Sequence, residues 1–319
     1  MIMKTLSFTA FLLSLVTFGQ NLPVTDFLSA EATIRINPYM KLIEGEVTYQ
    51  FEVLKKADSI WLDANNMDVL SVYVDNEKMP FKNTTSKLSI FKKFNTSEQH
   101  RLKINYRTHP KQAMYFIGWE HENAQKQVWT QGQGKYTSRW LPSFDDANEK
   151  VEFDLNITFD RNYEVIANGN LIKVVENDSL NTWYFDMDKP MSSYLLAVAI
   201  GNYRKITKTS KSGVPIQLYY YPKDSLKVEP TYRYTTAIFD FLEDEIEVPY
   251  PWEVYKQIPV KDFLYAGMEN TTATIFSDSY VVDPVGFADK NYVNVNAHEL
   301  AHQWFGNLVT AKSGEHHWL

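Results

Sequence analysis

The clearest strand signal in the chain reads Glu46-Val47-Thr48-Tyr49-Gln50-Phe51-Glu52-Val53, with an apolar side chain at every second position. Because successive side chains of a strand point to opposite faces, this alternation predicts a strand with one buried face. The stretch from Val151 to Ile157 alternates in the same way. Such segments recur from about Glu31 to Tyr203, and together they predict an antiparallel β-sandwich or a saddle-shaped sheet.

Three shorter segments carry local expectations. Asp75-Asn76 follows the strand-like run Leu70 to Val74, and this order predicts a hairpin. Asn168-Gly169-Asn170 offers the positive φ angles that a tight turn requires. The run from Ser193 to Ile200 is almost continuously apolar, which predicts a strand that is buried on both faces.

The pattern changes after Tyr203. We expect a lysine-rich connector from Lys205 to Lys211 and then a strand over Gln217 to Tyr221. Apolar residues at spacings of three and four predict one amphipathic helix from Thr231 to Ile246. The chain is therefore expected to be an α+β protein with two domains, a β domain over residues 20–205 and an α/β domain over residues 206–319.

Composition excludes several classes of protein. The 319 residues are enough for two ordinary domains, and 44% of them are hydrophobic, as in folded soluble proteins. A net charge of −7 without a basic stripe argues against a nucleic-acid partner. The chain has no cysteine, so its fold rests on hydrophobic cores rather than on disulfides.

The first residues have the order of a secretory signal peptide. Lys4 supplies the positive charge, Leu6 to Phe18 the apolar stretch, and Gly19 a small residue before Gln20. The apolar stretch is short for a membrane span, although a retained anchor is the alternative. We therefore expect residues 1–19 to be removed, and the mature protein to be periplasmic or extracellular without a stable membrane anchor.

A metal-binding motif lies near the end of the chain. His298-Glu299-Leu300-Ala301-His302 matches the pattern HExxH, in which two histidines one helical turn apart reach one Zn²⁺ and the glutamate points at its water. Leu300, Trp304 and Leu308 form an apolar ridge beside the histidines, as on a buried helix. The alternative is a capping box, in which Asn296 begins the helix and Glu299 binds the backbone.

Three segments carry a resemblance to a known family. Tyr265-Ala266-Gly267-Met268-Glu269-Asn270 is similar to the Gly-x-Met-Glu-Asn motif of the aminopeptidase N family of zinc metallopeptidases, which includes leukotriene hydrolase. Ala266 stands where that family usually has glycine. His302 to Thr310 and Thr130 to Asp146 resemble other segments of the same family, so the resemblance covers essentially the whole mature chain.

The resemblance implies a saddle-like β domain followed by a thermolysin-like catalytic domain, and an aminopeptidase that acts on peptides with a free N-terminus. Glu269 would bind the α-amino group, with Gln133 and Gln131 beside it. The backbone of Ala266, Gly267 and Met268 would pair with the substrate as an added strand. One Zn²⁺ would be held by His298 and His302, and Glu299 would act as the general base. These roles are expectations that follow from the resemblance.

The third metal ligand is open at this stage. The metzincin pattern is excluded, because Phe305 and Leu308 occupy the places of its glycine and its third histidine. The resemblance implies a glutamate, and then an oxyanion-stabilising tyrosine, beyond Leu319. Glu315, His316 and His317 are interpreted as surface or pocket-wall residues. We therefore expect this chain alone to bind zinc weakly and to lack peptidase activity.

Two other functions stay open. The parent protein could also hydrolyse epoxides, as leukotriene hydrolase does, and Gln131 and Gln133 permit this. The chain could instead be a non-catalytic relative that binds peptides. Assay of the complete protein on an epoxide and on an aminoacyl amide separates these alternatives.

Export gives a first testable prediction. N-terminal sequencing of the protein from its native host should find a mature start near Gln20, because Gly19 is the small residue that a signal peptidase requires. Recovery of an intact Met1 in the cytoplasm would contradict the prediction.

Overall fold

The structure is a computed structural model that describes residues 24–312. The predicted signal peptide lies outside the described residues, as do Glu315, His316 and His317. Residues 24–312 form mainly β-strands, with a few short helices after residue 221. In this part of the chain no helix combines the length and the apolar character that crossing a bilayer demands.

The first sixteen strands are, in chain order, β1 (Thr25–Asn37), β2 (Leu42–Val53), β3 (Ala57–Asp63), β4 (Met67–Val74), β5 (Glu77–Lys78), β6 (Phe81–Asn83), β7 (Lys87–Phe94), β8 (Gln99–Thr108), β9 (Met114–Ile117), β10 (Gln127–Thr130), β11 (Lys150–Asp160), β12 (Glu164–Ala167), β13 (Asn170–Asn177), β14 (Leu180–Asp186), β15 (Met191–Ser192) and β16 (Val198–Gly201). Five strands follow, β17 (Arg204–Thr209), β18 (Pro215–Tyr220), β19 (Tyr255–Val260), β20 (Gly267–Met268) and β21 (Ala273–Ser277). The α-helices are α1 (Val228–Tyr232), α2 (Thr235–Ile246) and α3 (Val293–Ala301), and short 3₁₀ turns cover Thr137–Arg139, Ser193–Leu195, Pro222–Lys227, Asp278–Tyr280 and Gly286–Ala288.

A nine-stranded sheet is the largest element of the β half. Its order is β13-β14-β11-β1-β2-β8-β4-β5, and β15 pairs with one end of β11. The neighbours are antiparallel except for β1 and β11, which run parallel with Ser29 opposite Glu152. The expected antiparallel sheet is thus wrong at this pair. A long excursion of the chain separates the two strands, and only such a crossover can join parallel neighbours.

Alternation in the sequence matches the faces of this sheet. Val47, Tyr49, Phe51 and Val53 are buried in β2, whereas Gln50 between them is exposed and Glu52 is half-buried on the other face. β11 repeats the pattern, so both predicted strands are confirmed. The small sheet β3-β7-β6 packs on the same core. Burial of so many aliphatic and aromatic side chains supplies most of the driving force for this half.

A second core joins the β half to the rest of the described chain. The four-stranded sheet β12-β16-β10-β9 belongs to the first half, and the five-stranded sheet β17-β18-β19-β21-β20 begins at Arg204. Side chains from both sheets share one apolar cluster, which includes Trp129, Ile166, Ala199, Tyr219, Ile258 and Ile275. The cluster holds the two sheets together beside the cleft described below.

The two turn predictions have different outcomes. Asp75 and Asn76 have φ angles of 52° and 69° and connect β4 to its antiparallel partner β5, so the predicted hairpin is confirmed. Gly169 has the expected positive φ of 70°, but it leads from β12 in the four-stranded sheet to β13 in the nine-stranded sheet. The local φ requirement was readable in the sequence, whereas the change of sheet depends on distant partners.

Two other predictions about strands need correction. The run from Ser193 to Ile200 is buried, but only its end is strand, because a 3₁₀ turn over Ser193–Leu195 precedes β16. The lysine-rich segment is not a connector, because residues Arg204–Thr209 pair with β18 as an edge strand. Lysines are common on edge strands, where one face and one edge meet water.

The single helix predicted from Thr231 to Ile246 is two helices, α1 and α2. Tyr232 donates its hydroxyl to the Tyr219 carbonyl at 2.6 Å, while Thr235 accepts from Asn296 on α3. Tyr232 is thus bound to β18 and Thr235 to α3, and the helix is interrupted between these two residues. Phe241, one of the periodic apolar residues, is 59% exposed.

Gly169 provides a stability prediction. A Cβ at this position would lie 1.9 Å from the Asp186 carbonyl oxygen, and the positive φ would strain any L-residue. Gly169→Ala should therefore lower the free energy of unfolding by roughly 3 kcal/mol, from strain and overpacking together. Urea denaturation measures the change.

The matched control is Gly213→Ala. Gly213 has a φ of 93° and no atom within 4 Å of the added Cβ. This substitution should cost only the backbone strain, about 1 kcal/mol. Equal costs for the two variants would show that the contact with Asp186 is unimportant.

Candidate active site

Packing fixes the rotation of α3, the helix that carries the HExxH motif. Leu300 is fully buried, and Trp304 packs edge-on against Tyr250 with ring centroids 5.5 Å apart. Asn296 donates to Thr235 at 2.8 Å and accepts from Gln257, which ties α3 to α2 and β19. The opposite face of α3 is therefore directed into a cleft.

This arrangement contradicts the capping-box alternative. Asn296 lies inside α3, whose first residue is Val293, and its side chain bonds to Thr235 and Gln257 rather than to the helix backbone. The predicted apolar ridge is correct at Leu300 and Trp304 but not at Leu308, which is 40% exposed. The helix ends at Ala301, so the helical spacing no longer applies at Leu308.

The two histidines have the geometry of a metal-binding pair. Their Nε2 atoms are 3.1 Å apart, and the His302 Nδ1–H donates to the Phe305 carbonyl at 2.8 Å. This bond leaves the lone pair of His302 on Nε2, and two nitrogens bound tetrahedrally to one Zn²⁺ lie roughly 3.3 Å apart. Burial and the neighbouring His302 ring lower the pKa of His298, which favours the neutral form that binds metal. The pair therefore fits zinc.

The motif glutamate lies over a glycine. An added Cβ on Gly267 would be 2.4 Å from Oε1 of Glu299, so only glycine leaves room for that carboxylate. Glu299 is buried, and burial together with the charge of Glu269 raises its pKa to about 8. Both effects disfavour the ionised form, and a nearby cation would act in the opposite direction.

Strand β20 is the outer edge of the five-stranded sheet. The Ser277 N–H donates to the Ala266 carbonyl at 3.0 Å, and Gly267 is opposite Phe276. Hydrogen-bonded and non-hydrogen-bonded pairs alternate along antiparallel strands, so the N–H and C=O of Gly267 face away from β21. Ala266 is exposed, so its methyl group has room.

A cleft of about 1610 Å³ brings most of the predicted residues together. Glu269, Gln133, Ala266 and Gly267 line it with His298, Glu299 and His302. Two predicted residues, Gln131 and Met268, are buried behind the lining of the cleft. Gln131 is buried, donates to the Met268 sulfur at 3.4 Å and accepts from the Gln133 N–H, so it supports the wall of the cleft. Within residues 24–312 no third His, Cys, Asp or Glu joins the histidine pair.

Several residues of the site were missed in the sequence. Gln303 and Asn307 donate to the Glu269 carbonyl at 3.0 and 2.8 Å, and Asn168 donates to the Thr271 carbonyl at 2.6 Å. All three amides are buried. The only signal was the presence of two amides in the apolar run after His302, and such a signal does not say what the amides bind.

Comparison with known proteins shows the family to which this chain belongs. Residues 28–195 match the Peptidase M1 N-terminal domain, and residues 231–319 match the Peptidase family M1 domain. The chain belongs to the peptidase M1 family. The resemblance noted in the sequence is thereby confirmed.

The relatives of this M1 chain carry aminopeptidase names. Leucine aminopeptidase 2 of Yarrowia lipolytica is 31% identical over 287 residues, which cover 87% of the chain and 42% of that relative. Probable aminopeptidase 1 of Sulfurisphaera tokodaii is 26% identical over 280 residues, with coverages of 85% and 35%. Glutamyl aminopeptidase of Sus scrofa is 32% identical over 184 residues, with coverages of 56% and 20%. The M1 chain thus matches less than half the length of each relative.

The contact between Gly267 and Glu299 is testable by a double-mutant cycle. Gly267→Ala should lower the free energy of unfolding by about 1–3 kcal/mol, because its methyl group displaces the carboxylate. Most of that cost should vanish in a Glu299→Ala background, where the space is open. Urea denaturation of the four proteins gives the coupling energy.

Ala266→Gly serves as the control, because Ala266 is exposed one residue away on the same segment. Its cost should be the same with and without Glu299. Equal costs of Gly267→Ala in both backgrounds would mean that another group limits position 267.

Proposed function

We propose that the chain forms the substrate-binding part and the first two metal ligands of a zinc-dependent aminopeptidase. One observation carries the proposal: the buried carboxylate of Glu269 shares a cleft with His298, Glu299 and His302, beside the free edge of β20. A buried carboxylate needs a cationic partner, and the α-ammonium group of a peptide is such a partner. The aminopeptidase names of the relatives support the same activity.

In this proposal the peptide extends along β20. The outward N–H and C=O of Gly267 bond to its backbone, as in other complexes that add a strand to a sheet edge. Glu269 binds the terminal ammonium group, and this contact places the first peptide bond near the histidine pair. An internal or acetylated peptide lacks the positive charge of the ammonium group. It therefore leaves the Glu269 carboxylate buried and unpaired, which costs about 3–5 kcal/mol.

Zn²⁺ bound by His298 and His302 would polarise the scissile carbonyl and make water a stronger nucleophile. Glu299 accepts a proton from the attacking water at its carboxylate and passes it to the leaving amine. The position of its Oε1 over Gly267, on the wall that the peptide backbone follows, supports this role. Gln133 contributes a polar side chain to the same wall.

Several wider features belong to the same proposal. Residues 20–205 would form a saddle-like β-sandwich domain, and residues 206–319 would be part of a thermolysin-like catalytic domain. The protein would be exported, and its substrates would be peptides with a free N-terminus. The shared cluster of the four- and five-stranded sheets supports a fixed relation between the two domains.

Replacement of Glu269 tests the anchor directly. In the complete protein, Glu269→Gln should lower kcat/KM for an aminoacyl amide by about 10²-fold or more, because a charge-assisted contact is lost. N-acetylated substrates should be hydrolysed negligibly by both forms. Steady-state kinetics on the two substrate types measures both effects.

Asp146→Asn is the matched control, because Asp146 lines the same cleft and is exposed. It removes one negative charge without touching the motif, so its kcat/KM should stay within a few-fold of the wild type. Equal hydrolysis of free and acetylated substrates by the wild type would mean that Glu269 is not the anchor.

Metal content tests the ligand set. A catalytic zinc site uses three protein ligands, and residues 24–312 contribute two. We therefore expect the 319-residue chain to retain well below one zinc per molecule after dialysis and to lack peptidase activity. Elemental analysis should find about one zinc in the complete protein. Full zinc occupancy and activity of residues 1–319 would place the third ligand among Glu315, His316 and His317.

A further inference from the structure

The loop that carries Glu269 is held by side chains rather than by regular structure. This anchor loop, Glu269–Thr272, connects β20 to β21. Gln303 binds both of its ends: its Nε2 donates to the Glu269 carbonyl at 3.0 Å, and its Oε1 accepts from the Thr272 N–H at 3.0 Å. Asn307 adds a second donor to the Glu269 carbonyl at 2.8 Å. The buried amide of Gln303 therefore bridges the two ends of the loop, in addition to the Ala273 N–H bond to the Asn270 carbonyl at 2.9 Å.

The conformation of Thr272 shows how strongly the loop is constrained. Thr272 has a φ of 63°, which is rare for a β-branched residue and costs of order 1–3 kcal/mol. Three contacts offset this cost. Its N–H binds Gln303, its carbonyl accepts from the Lys256 N–H at 2.8 Å, and its hydroxyl accepts from the Gly169 N–H at 2.8 Å. The loop is thus held in one shape.

The β half binds the same loop from the other side. Asn168 donates to the carbonyls of Thr271 and Leu195, at 2.6 and 3.0 Å, and accepts from the Ala197 N–H at 2.6 Å. The anchor loop is therefore bound to the backbone before β16 as well as to the residues after α3. Neither contact involves the carboxylate of Glu269, which stays available to the cleft.

Gln303 is also fixed at its own backbone. It directly follows His302, its N–H donates to the Leu300 carbonyl at 3.0 Å, and its carbonyl accepts from the Trp252 indole at 3.2 Å. The side chain is fully buried. One residue thus connects the helix end that carries His302 to the backbone of Glu269, with no mobile element between them.

We propose that Gln303 is a positioning residue that sets the distance between the Glu269 carboxylate and the histidine pair, and so selects substrates by the spacing between amine and scissile bond. The inference rests on the proposed aminopeptidase function. A rigid anchor accepts an α-amine, whose nitrogen is one carbon from the scissile carbonyl, and rejects a β-amine, which is one methylene further away. Misplacement by about 1 Å can cost 10²-fold in rate.

The test compares alanine amide and β-alanine amide as substrates of the complete, zinc-loaded protein. Gln303→Met keeps the approximate volume and removes every hydrogen bond of the Gln303 side chain, including a longer one of 3.4 Å to the Asn270 carbonyl. It should lower kcat/KM for alanine amide by about 10²-fold and reduce the preference for alanine amide over β-alanine amide by at least tenfold. Zinc content should stay unchanged, because Gln303 does not touch either Nε2 atom. Hydrogen exchange at the Thr272 N–H should accelerate, because that donor loses its partner.

A control and a second variant keep the result decisive. Tyr232→Phe removes one buried hydrogen bond, to the Tyr219 carbonyl, from the same region without touching the anchor loop. It should lower stability but leave the substrate preference unchanged. Asn307→Leu removes one of the two donors to Glu269 and should shift the preference in the same direction by a smaller factor, and it decides the matter if Gln303→Met does not fold.

The two proposals fail in different ways. An unchanged preference in folded, zinc-loaded Gln303→Met, or in Asn307→Leu where the first does not fold, overturns the positioning role. An equal loss of preference in Tyr232→Phe overturns it as well. If the wild type instead hydrolyses acetylated and free substrates equally, the proposed function fails. In that case, unchanged exchange at the Thr272 N–H in Gln303→Met also shows that Gln303 does not hold the anchor loop, whereas faster exchange shows that it does.

Discussion

Burial of a polar loop between two sheets and a helix is the constraint on which the site depends. Every N–H and C=O of such a loop must find a partner away from water, and an unpaired group costs about 1–3 kcal/mol. Here the partners include the side-chain amides of Gln303, Asn307 and Asn168, beside backbone N–H groups such as that of Lys256. These residues come from both halves of the described chain. The hydrogen bonds that they make to the loop therefore also align the two halves. The anchor carboxylate and the histidine pair are consequently parts of one rigid unit.

The second requirement of this unit is that β20 and α3 approach each other closely. Glu299 lies where a side chain on Gly267 would otherwise be, so the edge of β20 and the face of α3 are nearly in contact. Two carboxylates and two imidazoles then share one cleft. Burial, and after it the nearest group of like charge, disfavours negative charge on Glu299 and positive charge on His298, so the pKa of Glu299 is raised and that of His298 lowered. In the proposed function a bound cation, either an ammonium group or a divalent metal, would favour the ionised form of Glu299.

The parts that were predictable from sequence depend on local periodicity. Strands β2 and β11, the Asp75-Asn76 hairpin and the helical HExxH motif follow from spacing along a few consecutive residues. The parallel pairing of β1 and β11, the break between α1 and α2 and the contacts of Gln131 were not predictable. Each depends on a partner far away in sequence. The contacts of Gln303 and Asn168 were missed for the same reason, because an amide in the sequence does not show which distant group it bonds.

The central place of β1 has a consequence for synthesis of the protein. β1 contains the first described residues, yet one of its two neighbours, β11, begins at Lys150. A ribosome must therefore release more than a hundred further residues before the middle of the largest sheet can close, and such non-local pairing folds slowly. Until then the nascent chain presents an open strand edge next to apolar side chains, and exposed edges of this kind pair with other chains. The strand order itself, rather than any single residue, thus leaves this edge of β1 unpaired until late in synthesis.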